Sequence, residues 1–322
     1  MESPIVLLLA AGIDYLIGDP WGWPHPVRVM GWVITHLTRL ILQKWSNPNV
    51  RRWAGIFLGL GMVTGSGWVG WLIGQAANLL HPFLGITVES IVLASCFAGK
   101  SLRKAAEDVL LPLEVNDVLK ARDRLSQYVG RDTENLSTTE ILRAVLETVT
   151  ENATDGVMAP LFYAIIGAAL PGVGCLPFAL AYKAASTLDS MVGYREPPYT
   201  DLGWFSARLE DTLSWVPCRL TVITLGLISG KLRHVWQLCS RDAIKDVSPN
   251  SGWSECAYAA ILDVQMGGEN WYRGVAKYKP LLGDAIKPIT SETIHQALQL
   301  TRYSFLVWLG LAIALLLILH LG

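Results

Sequence analysis

Glu147, Glu151 and Asp155 fall four residues apart in the stretch Glu147-Thr-Val-Thr-Glu151-Asn152-Ala-Thr-Asp155. On an α-helix such positions sit one above another on a single face. Like charges at that spacing repel and cost the helix stability, so the pattern calls for a compensating cation. Mg²⁺, which takes one or two carboxylates together with phosphate oxygens, is the simplest candidate. A solvated acidic face would explain the spacing in an ordinary soluble helix. Here the apolar run Val157-Met-Ala-Pro-Leu-Phe-Tyr-Ala-Ile-Ile follows directly. The charges therefore stand at the edge of something buried, where ionisable groups tend to serve a function.

Other ionisable groups also gather at the ends of apolar runs. Tyr182-Lys183-Ala-Ala-Ser186-Thr-Leu-Asp189-Ser190-Met-Val-Gly193-Tyr194 emerges from one, and Ser206-Ala-Arg208-Leu-Glu210-Asp211 follows it. Snorkelling at a membrane boundary accounts for Lys183. It does not account for Asp189 or for the group Arg208, Glu210 and Asp211. Near the N-terminus, Gly18-Asp19-Pro20-Trp-Gly-Trp-Pro24-His25-Pro26-Val-Arg28-Val-Met-Gly31 is expected to be a rigid loop shaped by proline. An interfacial Trp/Pro belt would explain its tryptophans but not His25 or Arg28. Carboxylates with a metal, together with Arg and Lys, are the kit for phosphoryl transfer, where positioning and charge neutralisation supply nearly all the catalysis. No Ser-His-Asp arrangement, activated Cys, Walker A or G-x-G-x-x-G pattern is present. A transporter or sensor for a large anionic ligand competes with an enzyme, since intramembrane charges and broken helices also mark substrate pathways. The long polar segments on both flanks of the apolar core favour the enzyme.

The elements that must hold these groups are helical and mostly apolar. Of the 322 residues, 52% are hydrophobic and 16% charged, against about 25% charged in an average soluble domain. A net charge of −1 gives no electrostatic case for nucleic acid. The five cysteines form no C-x-x-C pair and read as small buried hydrophobes, not as a zinc site or a disulfide framework. Candidate membrane spans cover 4–18, 55–80, 84–99, 157–182, 213–230 and 303–319. The stretch 213–230 reads as interfacial or buried, and 157–182 as one bent span or a re-entrant hairpin. Glycines in 55–80 suit close helix packing in lipid. Residues 29–43 are expected to form an amphipathic helix. Basic flanks at 39–52 and 100–104 share one side if the run between them returns, and the positive-inside rule makes that side cytoplasmic.

The polar segment 100–156 is expected to form soluble helices. Ser137-Thr-Thr-Glu140 has the capping-box pattern and should start a helix carrying Arg143, Glu147 and Glu151, with Arg143 and Glu147 as an i,i+4 pair. In the segment 231–302, Ser248-Pro-Asn250-Ser-Gly-Trp253 is a turn rich in donors, and Met266-Gly-Gly-Glu-Asn-Trp-Tyr-Arg-Gly274 is a glycine-rich loop. The fold class is therefore all-α: a polytopic membrane helical bundle with helical cytoplasmic segments, forming a single domain over 1–322.

From Asp14 to about Gly283 the chain resembles the CbiB/CobD family of cobalamin biosynthesis, the adenosylcobinamide-phosphate synthases. The resemblance rests first on Asp14-Tyr-Leu-Ile-Gly-Asp19-Pro, Pro24-His25-Pro-Val-Arg28-x-Met-Gly31, Gly130-Arg131-Asp132-Thr133 and Glu147-Thr-Val-x-Glu151-Asn152-x-x-Asp155-Gly156. It continues through Ala159-Pro-Leu-Phe-Tyr163, Tyr182-Lys183, Thr187-Leu-Asp189-Ser190-Met-Val-Gly193-Tyr194 and Ser206-Ala-Arg208-Leu, and ends with Ser248-Pro-Asn250-Ser-Gly252 and Gly267-Gly268. The chain departs from the pattern at Ser186, where Asn is expected, and at Glu210, where Asp is expected.

The resemblance implies a membrane amide ligase dependent on ATP and Mg²⁺. It would join the free propionate carboxyl of adenosylcobyric acid, a corrinoid, to aminopropanol or aminopropanol phosphate. It would be a multi-pass protein of the plasma membrane with its active site on the cytoplasmic side, associated with other enzymes of the pathway. The implied catalytic set is Glu147, Glu151, Asp155, Lys183, Asp189, Arg208 and Asp211, the first three holding Mg²⁺. Lys183, Arg131 and Arg208 would neutralise phosphates, and Asp189 or Asp211 would deprotonate the amine. The implied substrate-binding set is Asp14, Asp19, His25, Arg28, Arg131, Asp132, Asn152, Ser190, Tyr194, Ser248 and Asn250. On these residues the competing reading becomes a transporter or sensor for a corrinoid.

Overall fold

The computed structural model describes residues 2–18 and 25–321. Asp19 lies outside them. In chain order the helices are α1 (Glu2–Leu16), α2 (Pro26–Lys44), α3 (Pro48–Leu80), α4 (Pro82–Ala94), α5 (Gly99–Glu114), α6 (Val118–Leu125) and α7 (Thr138–Asn152). They continue with α8 (Ala159–Ala169), α9 (Leu176–Val192), α10 (Trp204–Ile228), α11 (Leu232–Asp242), α12 (Ser251–Leu262) and α13 (Ser291–Leu321). An antiparallel hairpin, β1 (Met266–Tyr272) and β2 (Val275–Leu282), lies between α12 and α13. The chain forms two compact units that alternate along the sequence: 1–98, 159–214 and 307–322 make the first, 99–158 and 215–306 the second.

Helices α2, α3 and α4 each open on a proline behind a polar cap, His25, Asn47 and His81. Proline at the first helical position has no amide hydrogen to waste and already holds the helical φ. His25 Nδ1 accepts the Val27 N–H at 3.3 Å. The expected loop is thus corrected over 26–31, where Pro26 starts a helix, because proline breaks a helix only in its interior; 19–24 lie outside the described residues.

Pro48–Leu80, Pro82–Glu114 and Ser291–Leu319 are long and apolar enough to cross a bilayer, and the chain is a membrane protein. The middle stretch is interrupted by non-helical residues at 95–98, so α4 ends before the expected span limit of 99. In the first unit α3 packs closely on α9. A Cβ on Gly70 would stand 3.0 Å from Leu180 Cδ1 and 3.2 Å from Pro177 Cα, so glycine permits the approach. Phe57, Trp68 and Leu72 point outward from α3 and are exposed, the arrangement of a helix facing lipid. The stretch 157–182 resolves into the hairpin α8–α9. The Tyr163 ring stacks on Tyr182 across it, with centroids 5.0 Å apart. The stretch 213–230 is the later part of α10, which carries Pro217 inside the helix.

In the second unit α7 begins at the expected capping box. The Ser137 N–H donates to Glu140 Oε2 at 2.7 Å and the Glu140 N–H to Ser137 Oγ at 3.3 Å. Ile141, Ala144, Val145, Leu146 and Val149 form its buried face. The segment expected to be a glycine-rich loop is instead a paired hairpin. Arg273 and Gly274 make its two-residue turn with φ of 52° and 74°, the left-handed pair that matches strand twist. Register shifts between Met266 and Gly268, and Gly267 there has φ of 90°, which a side chain would strain.

Candidate functional site

The hairpin and α7 enclose a buried carboxylate. Glu147 is 1% exposed. Its Oε2 accepts from Arg131 Nη2 at 2.6 Å and its Oε1 from the Gly267 N–H at 2.9 Å. Arg131 also donates to Asn270 Oδ1 at 2.7 Å. Arg143 does not form the expected i,i+4 pair with Glu147. It donates to the Gly267 carbonyl, to the Glu269 carbonyl at 2.9 Å and to Asn270 Oδ1 at 3.2 Å. Asp132 fixes the tip: its N–H donates to the Trp271 carbonyl at 2.8 Å, and its carboxylate accepts the N–H groups of Arg273 and Gly274 at 2.9 and 2.7 Å. The charge repulsion read from the sequence is thus answered at Glu147 by a guanidinium and a backbone amide.

Glu151, one turn further along α7, is exposed, and its carboxylate makes no hydrogen bond or ion pair among the described residues. Desolvation by the surrounding protein pushes its carboxyl above the ordinary range, with Lys279 opposing and Asp246 and Glu147 adding to the rise. Lys279, on β2, donates to Glu255 Oε1 at 2.6 Å, and Glu255, on α12, has no exposed surface. Desolvation works to lower Lys279, but the facing carboxylates of Glu255, Glu151 and Glu147 outweigh it and hold the ammonium above the usual lysine range. Glu255 Oε2 and Asp246 Oδ2 are buried and accept no hydrogen bond.

Glu147, Glu151 and Asp155 do not assemble a Mg²⁺ ligand set. Both oxygens of Glu147 are taken. Helix α7 ends at Asn152, and Ala153–Met158 is π-helical, so its wider turn takes Asp155 off the i,i+4 row. No group of three or more His, Cys, Asp or Glu among the described residues is arranged to hold a metal. Two of the residues expected to bind substrate, Asn152 and Ser248, serve the local backbone, and a third, Asn250, meets an arginine side chain. Asn152 Nδ2 donates to the Thr148 carbonyl at 2.9 Å. Ser248 Oγ accepts the N–H groups of Asn250 and Ser251 at 3.2 Å each, shaping the turn into α12. Asn250 is buried and its Oδ1 accepts from Arg219 at 3.3 Å.

The remaining expected residues belong to the first unit. Lys183, Asp189 and Ser190 lie on α9, with Tyr194 just beyond it, and Arg208 and Asp211 lie on α10. Tyr194 donates to the Ser190 carbonyl at 3.0 Å and Ser190 Oγ to the Ser186 carbonyl at 2.9 Å, both local contacts. Buried Glu210 bonds Ser214 Oγ and, at 3.4 Å, the Tyr182 hydroxyl, with Asp189 and Asp211 as electrostatic neighbours. Asp14 is buried in α1, His25 caps α2, and Arg28 is exposed on its first turn.

Sequence reading missed Asn270, Glu255 and Lys279, and the part Arg143 plays. Glu255 carried a usable signal, a lone charge in the apolar run Cys-Ala-Tyr-Ala-Ala-Ile-Leu. Lys279 carried none, since Lys277-Tyr-Lys279-Pro280 resembles any solvated strand.

A family model described as CobD/Cbib protein matches residues 7–301. Cobalamin biosynthesis protein CobD of Synechocystis sp. is 53% identical over 318 residues, covering 99% of this chain and 93% of that protein. The protein of the same name in Halalkalibacterium halodurans is 40% identical, covering 95% of each chain. Cobalamin biosynthesis protein CbiB of Salmonella typhimurium is 39% identical, covering 94% of each. No solved structure matches the chain. The chain belongs to the CobD/Cbib family of cobalamin biosynthesis proteins.

Proposed function

We propose that this protein is a membrane amide ligase of cobalamin biosynthesis that uses ATP to join the propionate carboxyl of adenosylcobyric acid to aminopropanol or its O-phosphate. One observation carries the reading: in a member of this family, a hairpin holds Arg131 on buried Glu147 and sets Lys279 against Glu255 beside Glu151. Charges of both signs fixed in a partly dry region are what acyl and phosphoryl transfer require.

A carboxylate resists attack by an amine and must first be activated. In the simplest route its oxygen attacks the γ-phosphorus of ATP and ADP leaves. The amine nitrogen then attacks the acyl carbon, inorganic phosphate leaves, and one proton is lost. Lys183 and Arg208 are proposed to contact phosphate oxygens, a task for which the Arg fork is well matched. Mg²⁺ is proposed to arrive with the nucleotide, and no step is assigned to it, because the carboxylates of α7 do not form its ligand set. The reacting groups are proposed to face the cytoplasm, where ATP is available.

The test is ATP consumption by the purified protein in detergent. The ligase reading expects consumption only when the corrinoid acid and the amino alcohol are both present. Consumption without the amine, or corrinoid uptake into proteoliposomes with no amide formed, would favour a transporter.

A further inference from the structure

The second unit holds acceptors that its own donors leave unmet. Glu151 is exposed, and its carboxylate makes no direct hydrogen bond or ion pair among the described residues. Glu255 has no exposed surface; its Oε1 takes Lys279 at 2.6 Å and its Oε2 takes nothing. Asp246, just before α12, accepts the Ser248 N–H on Oδ1 at 2.9 Å, while its buried Oδ2 takes nothing. Asp246 and Glu255 both interact electrostatically with Glu151. Buried carboxylate oxygens without donors are costly, and native proteins rarely keep them unless something else satisfies them.

What is missing is a ligand that brings donors and positive charge. A metal cage needs carboxylates converging at about 2.0–2.1 Å from one ion, and no such group exists among the described residues. A primary ammonium carries three N–H donors and no acceptor. It reaches carboxylates at about 2.7–2.9 Å, so it tolerates a wider set. The site already accepts this chemistry once, in the ammonium of Lys279 on Glu255.

We propose that Glu151, Asp246 and Glu255 form the subsite for the primary ammonium of the amino alcohol. Glu151 meets the ligand from solvent, and Glu255 Oε2 and Asp246 Oδ2 receive its remaining donors. The subsite rests on the ligase reading only for the identity of the ammonium.

The test is calorimetric titration of the full-length protein in detergent, with no ATP or corrinoid present. The probes are aminopropanol, isopropanol as its amine-free counterpart, and MgCl₂. Aminopropanol is expected to bind and isopropanol is not. Glu255→Gln and Asp246→Asn are each expected to weaken aminopropanol by about tenfold or more, the loss of one charge-assisted hydrogen bond. Glu255→Gln also disturbs Lys279, so Asp246→Asn, at a half-buried position outside that ion pair, decides the matter if the first variant unfolds early. Wild-type protein that ignores aminopropanol, or an Asp246→Asn variant that binds it as wild type does, overturns the proposal. Mg²⁺ binding abolished by the same substitutions, with no amine binding, also overturns it in favour of a metal. Binding is read without turnover, so intact amine binding with no ligation would count against the ligase alone.

Discussion

Arg131 was expected to meet a phosphate and is found holding Glu147, which changes what its removal should do. The pair is almost wholly enclosed, with side-chain exposures of 9% and 1%. Removing one partner strands a buried charge, at a cost of about 3–5 kcal/mol. Arg131→Met should therefore lower the unfolding temperature strongly as well as abolish activity. A residue serving only substrate would leave stability unchanged. Glu151 runs the other way. Its carboxyl is raised, so the folded state binds the proton more tightly than the unfolded chain, whose value is near 4.5. Stability is accordingly lost as pH rises from about 4.5 through the folded value. Glu151→Gln should then melt higher than wild type at pH 7, with a difference that vanishes below pH 4, measured by thermal scans at both pH values. A wild-type advantage at pH 7 would mean that the carboxylate has a favourable partner.

At the scale of elements, the hairpin positions the site and Asp132 positions the hairpin. Two N–H bonds to a charged acceptor, each contributing about 1.5–3 kcal/mol, fix the turn. Asp132→Ala should speed amide hydrogen exchange in 266–282 by tenfold or more while α11 exchanges as before. Equal protection in both proteins would show that the strands hold themselves. The start of α7 was legible because a capping box is written within four residues, Ser137 to Glu140. The hairpin was not, because the glycines that shape its bulge and turn are the residues that usually mark a loop. The start of α2 was misread for a related reason: the effect of Pro26 depends on whether it opens the helix or interrupts it. The π-turn at Ala153–Met158 has no local code, so the carboxylate row read from spacing took in one carboxylate too many, Asp155.

At the scale of the molecule, composition and hydropathy gave the membrane class, and the helices over 55–80 and 303–319 followed from uncharged length alone. The site was only half legible. Glu147 and Glu151 announced themselves by charge beside apolar sequence, and Arg131 by the family resemblance. Their partners Gly267, Asn270 and Lys279 lie more than a hundred residues further on, beyond any periodicity. The polar segments are proposed to face the cytoplasm, and the five buried cysteines leave a quiet background for testing this. Lys120→Cys, at an exposed position on α6, should react with a membrane-impermeant maleimide in inverted vesicles and be protected in intact cells. Labelling from outside would reverse the orientation.

The ligase account is tested most directly by the mass of the corrinoid after incubation with ATP and aminopropanol. Purified wild-type protein should convert the acid to the amide, a gain of one amine less one water, and Glu151→Gln, folded and at least as stable, should leave it unconverted. Unchanged acid with the wild-type protein, or amide made by Glu151→Gln at the wild-type rate, would contradict the account.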